Sequence, residues 1–269
     1  MDSSNCPRCH FASFGCVVAV VMVFFTVGIA SAGSLQRVKD PHWHIASATW
    51  YGSPNGDGST GGACGYGSMV DVKPFRARVG AVSSILFKNG EGCGACYKVK
   101  CLDKSICSKR AATVIITDES PALTKGRVHF DLSGSAFGRM AVKGNSGNLR
   151  NRGKISIIYR RTPCVYPGKN IAFHVNAGST AYWLSLLVEF EDGDGDIGSM
   201  HIREARSKQW LKMTHLWGAN WCIIGGPLQG PFSVKLTTLS KRRTLSARDV
   251  IPSKWSPKAT YTSRLNFSK

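Results

Sequence analysis

Short runs in which Val, Ile, Leu and aromatic residues alternate with polar ones recur along the chain, broken by clusters of Gly, Pro, Asn, Asp and Ser. Alternation with a period of two marks a strand with one face buried and one exposed. It predicts strands at His44–Tyr51, Ser83–Lys88, Cys96–Cys101, Ala111–Asp118, Val128–Leu132 and Lys154–Arg161 in the first half. Ser135–Ala141 reads as a short helix between them. The second half gives Ile171–Val175, Trp183–Phe190, Ile197–Arg203, Gln209–Met213, Trp221–Ile224 and Phe232–Thr238. Strands at a spacing of roughly 8–12 residues are the pattern of an antiparallel sandwich. Between the halves, Pro163–Asn170 holds Pro163, Pro167 and Gly168 and predicts a short, stiff linker. No internal repeat or low-complexity segment is visible.

One continuous apolar run breaks this pattern. Cys16–Ala30 is about 15 residues long, whereas a membrane-spanning helix needs about 20. Arg8 before it and Ala30-Ser31-Ala32 after it make residues 1–32 a secretory signal cut before Gly33, rather than an uncleaved anchor. The expected product is secreted and extracellular, not membrane-spanning.

The 269 residues are 43% hydrophobic, enough for real cores and against a disordered basic tail. Charge changes the picture more. Lys and Arg number 35 against 16 Asp and Glu; removing Arg8 and Asp2 with the leader leaves 34 minus 15, still +19. No nucleic-acid motif accompanies this charge, and the cations are scattered rather than interleaved with stacking aromatics. A solvated surface is one reading of them, and a polyanionic extracellular matrix the sharper one.

Seven of the ten cysteines survive the leader's removal. Cys64, Cys93, Cys96, Cys101, Cys107 and Cys164 fall in the first half and imply a disulfide framework, with 15 possible connectivities. Cys93-Gly-Ala-Cys96 has the spacing of a zinc or redox pair, but no second ligand pair stands at zinc spacing and a secreted chain oxidises its thiols. Cys222, left over inside Trp221–Ile224, reads as a buried free thiol, with an intermolecular disulfide as the other option. No metal and no cofactor is expected.

Among the few acids, Asp118 and Asp131 each sit in an apolar setting, Thr113-Val-Ile-Ile-Thr-Asp and His129-Phe-Asp-Leu-Ser-Gly. A carboxyl so placed suits a general acid, and equally a cap on a turn or on the short helix near Ser135. Asp192-Gly-Asp194-Gly-Asp196 starts like a calcium loop but has Ile197 at the sixth position and Arg203 at the twelfth, so a hairpin turn is the better expectation.

Several ordered motifs go further: Thr49-Trp-Tyr-Gly, Gly61-Gly-Ala-Cys-Gly-Tyr-Gly67, Gly92-Cys-Gly-Ala-Cys-Tyr97, His129-Phe-Asp-Leu-Ser-Gly134 with Ala136-Phe-Gly, Gly193-Asp-Gly-Asp196, Trp217-Gly-Ala-Asn-Trp221, Gly230-Pro-Phe-Ser233 and Val250-Ile-Pro252. Together, from about Ala46 to Phe267, the chain resembles the plant β-expansins. The resemblance implies an all-β molecule: a six-stranded double-psi β-barrel over residues 45–165, followed by an immunoglobulin-like β-sandwich over 170–266 that binds carbohydrate. It also implies the disulfides Cys64–Cys93, Cys96–Cys164 and Cys101–Cys107.

That barrel is similar to small inverting endoglucanases. The likeness makes Thr49, Trp50, Tyr51, Asp118, His129 and Asp131 groove residues, with Asp131 matching the acid. Inversion also needs a base that activates water. Its place, just after Thr-x-Tyr, reads Gly52-Ser53. The implied function is therefore non-hydrolytic loosening of plant cell walls, disrupting non-covalent bonding between cellulose and matrix glucans. The alternatives are an endoglucanase-like hydrolase with an unrecognised base, and a polysaccharide-binding protein without loosening activity. The expected partners are cellulose, xylan or other matrix glucans, met by a monomer.

Alternation sets Trp183 opposite Leu184, Leu186 and Val188, on a face shared with Ser185. The family pattern implies that Trp183 and Trp217 form a sugar-binding platform, whereas Trp221 suits the core; a tryptophan in a sandwich is also commonly core. Two departures stand out. Thr60 takes the place of a carboxylate common before Gly-Gly-Ala-Cys, with Asp57 nearby, and Ser120 replaces a cysteine, so a loop disulfide is missing as a pair and the loop between the two aspartates is expected to be looser. Asn266-Phe-Ser268 is the sole glycosylation sequon.

Overall fold

The computed structural model describes residues 40–56, 60–120 and 126–267. The leader expected over 1–32, Asp57, most of the loop after Ser120, and Ser268 lie outside them. Six strands close a barrel: β1 (His44–Tyr51), β2 (Val79–Val82), β3 (Cys96–Cys101), β4 (Ala112–Glu119), β5 (His129–Ser133) and β6 (Ile155–Arg161), in the order β1-β5-β2-β4-β3-β6. β1 runs parallel to β5 and β2 parallel to β4, while β2 and β5 are antiparallel and lock the two parallel pairs together. Alternation fills the interior with Val99, Val114, Ile116, Phe130, Leu132 and Ile157, all fully buried.

Three short helices decorate the barrel: α1 (Ser84–Phe87), α2 (Gly134–Gly138) and α3 (Ser146–Asn151). α2 begins at Ser133, whose hydroxyl accepts from the Ala136 N–H as an N-cap. α1 occupies the place where a strand is expected at Ser83–Lys88. The apolar run Ile85-Leu86-Phe87 makes one helical turn that ends at Lys88 in the left-handed region. The true strand, Val79-Gly-Ala-Val82, lies between β4 and β5 and is buried throughout, so it has no polar alternation to announce it.

The second half packs two sheets face to face. One has four strands, β10-β9-β13-β14; the other has five, β11-β12-β8-β7-β15. Here β7 is Ala172–Val175, β8 Trp183–Glu189, β9 Ile197–Glu204, β10 Leu211–Lys212, β11 Thr214–Trp217, β12 Asn220–Ile224, β13 Phe232–Thr238, β14 Thr244–Ile251 and β15 Thr260–Thr262. Phe173, Leu184, Leu186, Met200, Ile202, Trp221, Val234 and Leu236 form the layer between the sheets.

Asp192–Asp196 is not a hairpin turn. It joins β8 to β9, which belong to different sheets, and its three carboxylates are buried against the barrel. Gly193 exchanges both backbone hydrogen bonds with Cys164, at 2.8 and 3.0 Å. Arg161, at the end of β6, donates to the Asp194 carbonyl and pairs with Asp196 at 2.9 Å. The Tyr166 N–H donates to Asp192 at 2.6 Å, while the Tyr166 ring packs on Phe75 and Phe190. The linker is thus part of a packed seam between barrel and sandwich. Disulfides Cys64–Cys93, Cys96–Cys164 and Cys101–Cys107 are formed, and Cys222 is a buried free thiol.

Asn266, the asparagine of the sequon, closes the same seam. Its side chain is buried; Oδ1 accepts from Asp192 N–H at 2.8 Å, and Nδ2 donates to the Phe190 carbonyl at 2.8 Å. Among the described residues, no helix is long and apolar enough to cross a membrane, and no cluster of His, Cys, Asp and Glu has the form of a metal site.

Candidate functional site

The strand registers line up four residues. Thr49 of β1 faces Asp131 of β5, Asp131 faces Ala81 of β2, and Ala81 faces Asp118 of β4. Neighbouring strands lie about 4.8 Å apart, so the two aspartates stand about 10 Å apart at Cα with small Ala81 between them. The row places a carboxylate on each side of Ala81. Asp131 and Asp118 are both half-buried.

Asp131 is held from below. Thr49 Oγ1 donates to its Oδ1 at 2.7 Å, His129 Nε2 lies 3.0 Å from Thr49 Oγ1, and Ser47 Oγ lies 2.8 Å from His129 Nδ1. Because the Thr49 proton goes to Asp131, Nε2–H donates to Thr49 and Nδ1 accepts from Ser47. Burial lowers the His129 pKa more than the nearby Asp131 charge raises it, which disfavours the charged imidazole. His129 is fully buried. It lies beneath Thr49 and Asp131 and reaches Asp131 through the Thr49 hydroxyl.

Trp50 follows Thr49 on β1. It is half-buried: it shares its alternation with Ala48 and packs partly against the barrel core, and Nε1 donates to the Arg150 carbonyl of α3 at 3.0 Å. Thr49 and Tyr51 hold the other face. Ser53 follows Gly52, which turns at φ +72°, and the Ser53 carbonyl lies against Gly134.

Asp118 holds a loop. Its Oδ1 accepts from the Ala63 N–H at 2.7 Å and the Glu119 N–H at 2.8 Å, and Cys64 N–H donates to the Thr117 carbonyl at 3.1 Å. The Cys64–Cys93 disulfide pins the same segment. These contacts fix Asp118 although the partner of the missing disulfide is absent; Ser120 is buried and its N–H donates to the Val82 carbonyl at 2.9 Å.

The loop continues onto the sandwich. The Ala219 N–H donates to the Cys64 carbonyl at 3.0 Å. Gly65, at φ +85°, lies under the Trp217 ring, whose atoms come within 2.8 and 2.9 Å of where a Cβ would be. Only glycine permits both that backbone angle and that approach. Trp217 is 45% exposed. Trp183 is half-buried beside the Gly178 turn, and the register places it opposite the exposed Ile224. Leu184, Leu186 and Val188 do share the core face. Ser185, on the same alternation as Trp183, is buried where the Asn176–Ser179 turn folds over it: its N–H donates to Ser179 Oγ at 3.1 Å. Sequence reasoning missed the Gly65–Trp217 contact, which joins residues more than 150 positions apart and leaves no local signal.

Comparison with known proteins follows the same outline. A family model described as lytic transglycolase matches residues 79–159, and one described as Expansin C-terminal domain matches residues 171–252. Expansin-B3 of Arabidopsis thaliana is 70% identical over 251 residues, covering 93% of this chain and 95% of its own. Expansin-B1 of Arabidopsis thaliana is 66% identical over 265 residues, covering 95% and 98%. Expansin-B16 of Oryza sativa subsp. japonica is 66% identical, covering 93% of both chains. The crystal structure of an apo expansin of Clavibacter michiganensis shares the fold with a TM-score of 0.63 at 24% identity, covering 84% of this chain and 98% of that one. A mutant of that expansin, crystallised in complex with cellohexaose, gives 0.62 at 23% identity with the same coverage.

Proposed function

The chain belongs to the β-expansin family, whose members loosen plant cell walls without hydrolysing them, and we propose that it does so by gripping a glucan along one path from barrel to sandwich. The path runs from Tyr51 and Asp131 across Ala81 to Asp118, then over the Gly61–Gly65 loop to Trp217 and Trp183. The observation that carries this reading is the seating of Trp217 on Gly65, since it sets a tryptophan of the sandwich against the loop that Asp118 holds. Asp131 and Asp118 offer polar contacts to sugar hydroxyls, and Trp217 offers an apolar face to pyranose C–H groups. Each hydrogen bond contributes only about 1 kcal/mol net; several in series compete with the contacts between neighbouring glucan chains. The cellohexaose bound by the Clavibacter expansin, a protein of the same fold, supports a β-linked glucan as the ligand. The barrel over 45–165 and the sandwich over 170–266 are the two units this grip requires.

Replacing Trp183 and Trp217 by Ala in the full chain is expected to cut depletion onto cellulose severalfold, with Trp217→Ala alone giving most of the loss because Trp183 is already half covered. The measurement is a binding isotherm beside a melting curve. Unchanged binding, or loss that tracks unfolding, removes the platform from the path.

Hydrolysis provides the contrast. One oxygen of Asp118 is spent on the Ala63 and Glu119 amides, and Ser53 stands where a base is needed. Purified protein is expected to release no reducing ends from cellulose or xylan. Linear release that disappears in Asp131→Asn would instead make the chain a glycoside hydrolase.

A further inference from the structure

The sandwich has a second outer face, on the four-stranded sheet and so directed away from the one bearing Trp183 and Trp217. Met200, Ile202, Val234, Leu236 and Ala247 point into the core, which turns Ser199, His201, Lys235, Thr237, Thr244 and Ser246 outward. The registers place Lys212, His201, Lys235 and Ser246 in one row across β10, β9, β13 and β14. Arg203 and Lys235 both lie over the Trp210 ring, at 4.9 and 4.7 Å from its centroid. Trp210 holds the two cations in place by cation–π attraction. The β9–β10 loop adds exposed Arg206 and Lys208, and β14 adds Arg248.

Few acids of the sandwich are placed to balance these charges. Residues 166–269 contain 14 Lys and Arg and seven acids, and five of the seven are Glu189, Glu191, Asp192, Asp194 and Asp196, buried in the seam. Of the other two, Glu204 accepts from the Gln229 N–H at 2.8 Å, and Asp249 accepts from Ser233 Oγ at 3.0 Å and pairs with Arg248 at 3.5 Å. Lys212 and Lys235 stand on either side of His201 in one row, so both cations flank the same imidazole. His201 Nδ1 and Arg203 Nε, both shielded from water, have no hydrogen-bond partner among the described residues.

The geometry points to this face as a binding site for an acidic polysaccharide, a polymer of uronic acid residues. The carboxylates of such a polymer complement the cations of the row, and the outward Ser and Thr hydroxyls suit sugar hydroxyls. The indole at the site, Trp210, is occupied by Arg203 and Lys235, which leaves no free indole face for a base to stack on. No large apolar side chain projects from the row to enter a lipid surface. That the polymer is a wall polysaccharide rests on the family reading; the charge geometry does not. With the glucan path on the opposite sheet, one molecule holds an acidic polymer on one side while gripping a neutral one on the other.

The test compares retention of the full chain on polygalacturonate and on cellulose. The triple variant Arg203→Gln, Lys212→Gln, Lys235→Gln is expected to lose tenfold or more in affinity for polygalacturonate and to keep its affinity for cellulose. A control that removes three exposed cations of the barrel, Lys104→Gln, Lys109→Gln, Arg110→Gln, is expected to bind polygalacturonate nearly as wild type. Fully methyl-esterified polygalacturonate is expected not to bind. His201 supplies a direct readout: burial first, then Lys235 and Lys212, lowers its pKa, so bound uronate raises it in an NMR titration. Equal loss in the control, undiminished binding of the ester, or an unmoved His201 overturns the site. So does vesicle or DNA binding as tight as polygalacturonate binding and lost in the same variant. Loss of cellulose binding by the wild type would count against the glucan path alone.

Discussion

Asp131→Asn is expected to abolish creep of heat-inactivated wall strips under load while leaving the melting temperature nearly unchanged. The substitution is close to isosteric, and the Asn carbonyl oxygen can still accept the proton that Thr49 gives at 2.7 Å. The chain of donors from Ser47 through His129 to Thr49 therefore persists, and with it the packing of β1 on β5. What changes is the atom facing the groove: an amide nitrogen that only donates replaces a carboxyl oxygen that accepts and, when protonated, donates. A substitution of this kind costs about 1 kcal/mol or less when no buried group loses its partner. If the variant melts with wild type and still drives full creep, Asp131 has no part in loosening.

The residues around Asp131 show what a sequence carries and what it withholds. β1, β3, β5 and β6 alternate cleanly, because each has one side in the barrel core, and their limits were legible. β2 was not, since a central strand made of Val79, Gly80, Ala81 and Val82 has no polar side; a Cβ on Gly80 would meet the Leu132 side chain at 2.7 Å. β14 was missed for the opposite reason. Its Thr244-Leu-Ser-Ala-Arg-Asp run is mostly polar, and its neighbour β13 supplies the pairing that makes it a strand. Asp118 and Asp131 were legible as carboxylates in apolar settings, and the register then made them one row. The seating of Trp50 depends on the Arg150 carbonyl, 100 residues away. The buried Asp192–Asp196 loop likewise depends on Arg161 and Cys164, which no local pattern reveals.

That seam gives the second large effect, on stability. Glu189 lies at the end of β8, 8% exposed, and burial pushes its carboxyl up to about 7 although Lys169 pulls it down. Glu191 is raised well above the usual carboxylate range, by burial first and then by Asp194 and Asp196, against the Gly195 N–H and Arg161. Around them stand Asp192, Tyr66 and Tyr166, the two phenols raised by burial and further by these same acids. A carboxyl whose pKa is higher in the folded chain than in the unfolded chain binds more protons when folded. Stability then falls as pH rises from about 4.5 towards 7 and levels off above it. For Glu189 the shift corresponds to about 3 kcal/mol, or roughly 6–12 °C in a chain of this size. His129, His174 and His201, lowered mainly by burial, oppose this, since folding leaves them harder to charge as pH falls. The difference between wild type and Glu189→Gln isolates the carboxyl from the histidines. The two are expected to melt together at pH 4.0, and the variant to melt several degrees higher at pH 7.5. Equal melting at both pH values would mean that Glu189 ionises in the folded seam as easily as in water.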